Sequence, residues 1–191
     1  MTKSRLEAFS DGVLAIIITI MVLGLEAPRD ASLEALRPLI PTFLSYALSF
    51  VYLGIYWNNH HHMLQAAKHV DGRVLWANLH LLFWLSLIPF ATGWMGDTRF
   101  SEWPVALYGV VLLFAAVAYY ILARVLIAAH GADSLLAKAI GRDFKGRLSL
   151  VLYASAIPLT FVSAWLACGL YVTVAVIWLV PDRRIERVLP K

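Results

Sequence analysis

The run from Gly12 to Leu25 carries one polar side chain, Thr19, and no charge. Nothing else in the chain restricts the fold so tightly. At about 1.5 Å per residue such a run reaches only about 21 Å, short of the roughly 30 Å hydrocarbon core of a bilayer. A helix that crosses the membrane here must also take in Phe9, Ser10 and Asp11. That brings a carboxylate to the membrane edge, where charges are costly and are usually paired or functional.

On an ideal helix, with about 100° between neighbours, Ile16, Ile20 and Leu23 fall within about 40° of one line. Gly12 and Phe9 extend that line, Arg5 lies near its inner end, and Thr19 sits at its edge. Asp11 points roughly the opposite way. Arg5 and Asp11 are six positions apart, so they cannot pair along one regular helix. Asp11 therefore needs a donor from another helix. The polar residues on offer are Asn78 and His80 early in the third apolar span, or Trp57 and the run His60-His61-His62 at the end of the second. A network joining Arg5, Ser10 and Asp11 to these would lock the first helix against the next two, because buried polar groups need partners.

Arg5-x-x-x-Phe9-Ser10-Asp11, followed by an Ile/Thr/Leu-rich span, resembles the first helix of the endolysosomal potassium channel family, transmembrane protein 175, in its short prokaryotic form. The resemblance implies an all-α integral membrane protein with six transmembrane helices per subunit. It implies a homotetramer whose first helix lines a central pore. The hydrophobic constriction carries over to Ile16, Ile20 and Leu23, and Thr19 matches the polar position beside it. No cofactor is implied, potassium being the permeant ion. No enzyme activity is implied either.

The rest of the chain is consistent with that layout. Of its 191 residues 61% are hydrophobic and only 15% charged, against about 45–50% and about 25% in soluble domains. Mean hydropathy is +0.73. The chain reads as a single membrane domain over 1–191, with spans near 8–26, 38–58, 74–95 and 104–127. The last apolar block, Leu148–Val180, is too long for one crossing and contains Pro158 and Gly169. It reads as two short helices, 148–164 and 167–180, turning near Ala164–Gly169. Ser101 is placed to cap the fourth span, with Pro104 in its first turn.

The loop with Lys138, Arg142, Lys145 and Arg147 and the tail with Arg183, Arg184 and Arg187 are basic, whereas the loops after spans one and three are near neutral. The positive-inside rule then puts both termini in the cytoplasm of a multi-pass protein of the cell membrane. The net charge of +4 sits at span ends, so it argues for contact with the bilayer and not with nucleic acid. No small-residue cleavage site follows the first apolar run, so that span is expected to remain in the mature protein.

No Thr-Val-Gly-Tyr-Gly segment occurs, so rings of backbone carbonyls cannot select the ion in the usual way. Selection falls to the width of an apolar ring and to Thr19. Two other readings compete. A secondary transporter would need broken helices near the midplane, for which Pro89 and Pro158 are the only hints. A metalloprotein or membrane enzyme would use His60, His61 and His62. Consecutive helical residues diverge by about 100°, so these three do not converge on one metal ion. The single cysteine, Cys168, offers neither a disulfide nor a Cys-based metal site.

Overall fold

In the computed structural model, residues 2–131, 137 and 144–179 are described, and every element among them is helical. α1 runs Lys3–Leu23, α2 Ile40–Ala66, α3 Gly72–Ser86, α4 Ile88–Asp97, α5 Glu102–His130, α6 Phe144–Leu159 and α7 Ala164–Leu179; a short 3-10 segment, Leu33–Leu39, leads into α2. Lys138, Arg142 and the Arg183, Arg184 and Arg187 tail lie outside the described residues.

Among the described residues four helical stretches are long and apolar enough to cross a membrane: Lys3–Leu23, Leu33–Ala66, Gly72–Asp97 and Glu102–His130. α1 starts five residues before the expected boundary, because the Thr2 hydroxyl accepts from the Arg5 amide and caps it. The whole Arg5–Asp11 motif is therefore helical, and the helix reaches about 31 Å. α1 also stops earlier than expected, at Leu23, ahead of Pro28. α2 continues through His60–His62 to Ala66. Of these histidines, His60 is held by α3 and His61 by α1.

The third span is broken. Pro89 has no amide hydrogen and its ring clashes with the preceding turn. The regular ladder stops at Ser86, Leu87 bridges the gap, and α4 restarts with the proline in its first turn. The last turn lies at 160–163, ahead of the expected Ala164–Gly169. Pro158 disrupts the end of α6, and short bonds from Phe161 to the Pro158 carbonyl and from Val162 to that of Leu159 close the turn. Gly169 sits inside α7 instead. Ser101 precedes α5, but its hydroxyl donates backwards to the Thr98 carbonyl and does not cap the helix.

α5 is the central post. It packs on α3 and α4 on one side and on α6 and α7 on the other, while α2 bridges α4 and α7. Close approach in a bilayer depends on small side chains, since lipid tails are as apolar as leucine. α5 supplies buried Ala106, Gly109, Ala115, Ala118 and Ala123. A Cβ at Gly109 would collide with the Tyr171 ring. Tyr171 belongs to a buried aromatic group with Tyr52, Tyr108 and Tyr153. Their polar ends are used: Tyr52 donates to the Tyr171 carbonyl at 2.6 Å, and Tyr171 to that of Val105 at 3.1 Å. α1 lies at the edge of this bundle, against α2, α3 and α4.

Candidate functional site

α1 has two unlike faces. Leu6, Ser10, Leu14, Ile17 and Met21 are buried against its neighbours. The other face is bare: Phe9 is 49% exposed, Ile16 59%, Ile20 51% and Leu23 79%. Arg5, Gly12 and Thr19 are exposed with them. The stripe expected from helical spacing is thus one continuous apolar surface with no cover inside the subunit. Thr19 is the polar exception, and its hydroxyl donates to the Ile16 carbonyl at 2.9 Å. That bond uses the hydroxyl proton and leaves the oxygen lone pairs free to face outward.

The buried face is held by hydrogen bonds whose directions can be worked out. The Ser10 hydroxyl donates to the Leu6 carbonyl at 2.9 Å, so its oxygen is free to accept from Asn78 Nδ2 at 3.0 Å. Asn78 Oδ1 can then only accept, and its partner at 2.7 Å is His60 Nε2. His60 therefore carries its proton on Nε2. Its Nδ1 is buried without a partner among the described residues. One chain of bonds thus ties α1, α3 and α2 together.

A second set of contacts runs along α1 and α2. Trp57 Nε1 donates to Asp11 Oδ1 at 3.0 Å. One turn further, His61 Nδ1 stands 3.0 Å from Glu7, and the Trp57 and His61 rings stack at 6.2 Å. Asp11 thus finds its donor on α2. His80 stays out of this network. It lies two positions, about 200°, from Asn78, and accepts from Trp84 of its own helix at 3.0 Å. Trp84 in turn stacks on Phe114 of α5 at 4.6 Å. Glu7 escaped the sequence reading, although its place one turn before Asp11 was the available signal. The three histidines diverge: His60 points to α3 and His61 to α1. Among the described residues no three His, Cys, Asp or Glu side chains converge as a metal site.

The far half of α1 is held differently. The buried Thr92 hydroxyl of α4 lies 4.0 Å from Met21 Sδ and joins Ser49 at 2.7 Å, which reaches Tyr108 of α5 at 3.0 Å. Beside this contact Ile16, Ile20, Tyr46 and Phe90 border an open groove of about 580 Å³.

These two faces can be set against known proteins. A protein described as a potassium channel from Chryseobacterium sp. is 55% identical over 189 residues, covering 99% of this chain and 98% of that one. The family model for the endosomal/lysosomal potassium channel TMEM175 matches residues 5–89. The chain belongs to the TMEM175 family. That family is one of ion channels, not enzymes, and implies no cofactor. The TMEM175 match takes in α1, α2 and α3, the three helices joined by the Ser10–Asn78–His60 bonds. The fold agrees over more of the chain. The crystal structure of a lysosomal potassium-selective channel TMEM175 homolog from Chamaesiphon minutus superimposes with a TM-score of 0.80 at 27% identity, covering 94% of this chain and 97% of that one. The endosomal/lysosomal proton channel TMEM175 of Gallus gallus is 40% identical over 73 residues, 32% of this chain and 15% of that protein.

Proposed function

We propose that the chain is one subunit of a potassium-preferring cation channel of the cell membrane. Four copies surround a central axis with α1 innermost, and ions pass between the four α1 stripes. Ile16, Ile20 and Leu23 form stacked apolar rings that narrow the path, and Thr19 supplies hydroxyl oxygen beside them. Such a ring closes by dewetting and opens by dilation or rotation, without a carbonyl filter. Each subunit crosses six times with both termini in the cytoplasm, α3 and α4 counting as one crossing and α6 and α7 as the last two.

The observation that carries this reading is the contrast between the faces of α1. An apolar stripe with 59% exposure at Ile16 runs the length of a helix whose opposite face is fixed by polar bonds. A lipid-facing helix would not need such anchoring, and one subunit with one stripe cannot enclose a pore. The names of the relatives and the fold shared with a potassium-selective homolog point the same way.

The test is ion flux into liposomes holding the purified protein, driven by potassium, with sodium and N-methylglucamine as controls. Potassium flux above sodium flux, abolished when Ile16, Ile20 and Leu23 are replaced by Trp, is the expected result. Flux unchanged by those replacements would remove α1 from the pathway. The break between α3 and α4 favours one rival, a carrier. A carrier's flux saturates with potassium concentration where a channel's rises nearly linearly.

A further inference from the structure

His130, the last residue of α5, does something that neither the helix nor the pore requires. Its ring reaches across to the connector between α2 and α3. Nε2 lies 2.8 Å from the backbone nitrogen of Lys68 and 3.2 Å from that of His69. Backbone N–H groups only donate, so Nε2 must present its lone pair to both. Nδ1 lies 2.9 Å from the Leu126 carbonyl, which only accepts, so the ring proton is on Nδ1. The surroundings thus admit one form of the ring, the neutral one protonated at Nδ1. The His69 ring stacks on it with centroids 4.3 Å apart.

We propose that His130 is a proton-operated latch. Neutral, it clasps the α2–α3 connector to the end of α5. Protonated, it lets go, because Nε2–H would then point at two N–H donors. Both bonds fail together, since one lone pair serves both. A charged ring would also weaken the stack with His69 when that ring is charged too.

The charged and titratable groups gathered here come from four elements. The connector gives Lys68 and His69, and α3 begins with Asp71 and Arg73. From α1, Lys3 Nζ donates to the Gln65 and Ala67 carbonyls at 3.1 and 3.0 Å, just ahead of the latched amides. α5 itself carries Arg124, which is exposed. Asp133 follows His130 in the chain and lies outside the described residues. Because Lys3 grips the segment that His130 holds, release of the latch loosens the seat of α1.

The experiment is amide hydrogen exchange on the full-length protein in micelles, corrected for the intrinsic pH dependence of exchange. Amides inside α2 and α5 serve as the internal reference. In the wild type, protection of the Lys68 and His69 amides is expected to fall about tenfold between about pH 7.5 and about pH 5.5. His130→Gln keeps a carbonyl acceptor that does not titrate, and its protection should be equal at both pH values. Equal protection of the wild-type amides at both pH values would overturn the proposal even if no variant folds. A Gln variant that loses protection as the wild type does would place the proton on another group and overturn it too. Neither readout depends on ion flux, so this test stands apart from that of the channel.

Discussion

Asn78 holds Ser10 from across the α1–α3 contact, its Nδ2 3.0 Å from the serine oxygen, while its Oδ1 takes the His60 proton at 2.7 Å. All three side chains are at most 2% exposed. One amide thus settles the orientation of two partners on two other helices, and a substitution there leaves both short.

Replacement of Asn78 by Leu keeps the branched shape and removes both bonds. Ser10 retains its bond to Leu6, but His60 Nε2–H is left buried and unsatisfied, at a cost of about 1–3 kcal/mol. Thermal unfolding in detergent should show the loss. Asn78→Asp keeps an acceptor for His60 and should lose less.

Asp11 and Trp57 form one pair, so their substitutions should not add. Asp11→Ala and Trp57→Phe each remove the same 3.0 Å bond. A double-mutant cycle should return a coupling of about 0.5–1.5 kcal/mol. Asp11→Ala is expected to impair assembly more than ion preference. A well-assembled Asp11→Ala channel with changed selectivity would contradict the supporting role given to Asp11.

Ile16→Asn places an amide on the exposed stripe without disturbing the buried face. Ion leak should rise and the preference for potassium over sodium should fall, as read by reversal potentials in bilayer recordings. Unchanged conductance and selectivity would take Ile16 out of the constriction.

At Gly109 the fold itself is tested. Gly109→Ala drives a methyl into the Tyr171 ring, and overpacking of this kind costs about 1–3 kcal/mol. The thermal midpoint should drop, with the Tyr171→Phe background recovering part of it by removing the hydroxyl.

Asp71 caps α3, and the backbone bond from Val74, at 3.0 Å, holds its carboxyl below the usual carboxylate range. A depressed folded-state pKa means stability that is present above the unfolded value and is lost as pH falls through the folded one. The start of α3 should therefore weaken below about pH 4. Asp71→Asn, which still caps but does not titrate, should flatten that part of the stability profile.

The face of α1 was legible from sequence because helical periodicity needs only residue spacing. Ile16, Ile20 and Leu23 share a side whatever surrounds them, and the structure leaves that side bare. The need of Asp11 for an outside donor followed from the same geometry, as did the failure of three adjacent histidines to converge. The choice of donor did not follow. Trp57, Asn78 and His80 were equally available until the rotation of α2 and α3 against α1 was known, and that rotation depends on packing across the bundle. Asn78 and His80 could still have been separated in advance, since two positions on a helix face nearly opposite ways. The helices α1 and α2 do not end where the expected spans end, for another reason. Hydropathy marks where a membrane ends, whereas a helix runs on for as long as its polar residues find partners, as Glu7 and His61 do.

Ser10 and Met21 are two points where α1 meets the span behind it, the first through the hydrogen bond from Asn78 of α3 and the second through a 4.0 Å contact with the Thr92 hydroxyl of α4. Ile16 lies midway between them, and the break at Leu87 that separates α3 from α4 falls between their partners Asn78 and Thr92. Mechanically, the support behind Ile16 is a joint and not a rod. Flexing of the third span under changed bilayer thickness or lateral tension concentrates near that depth, behind the ring that the proposed pore assigns to Ile16.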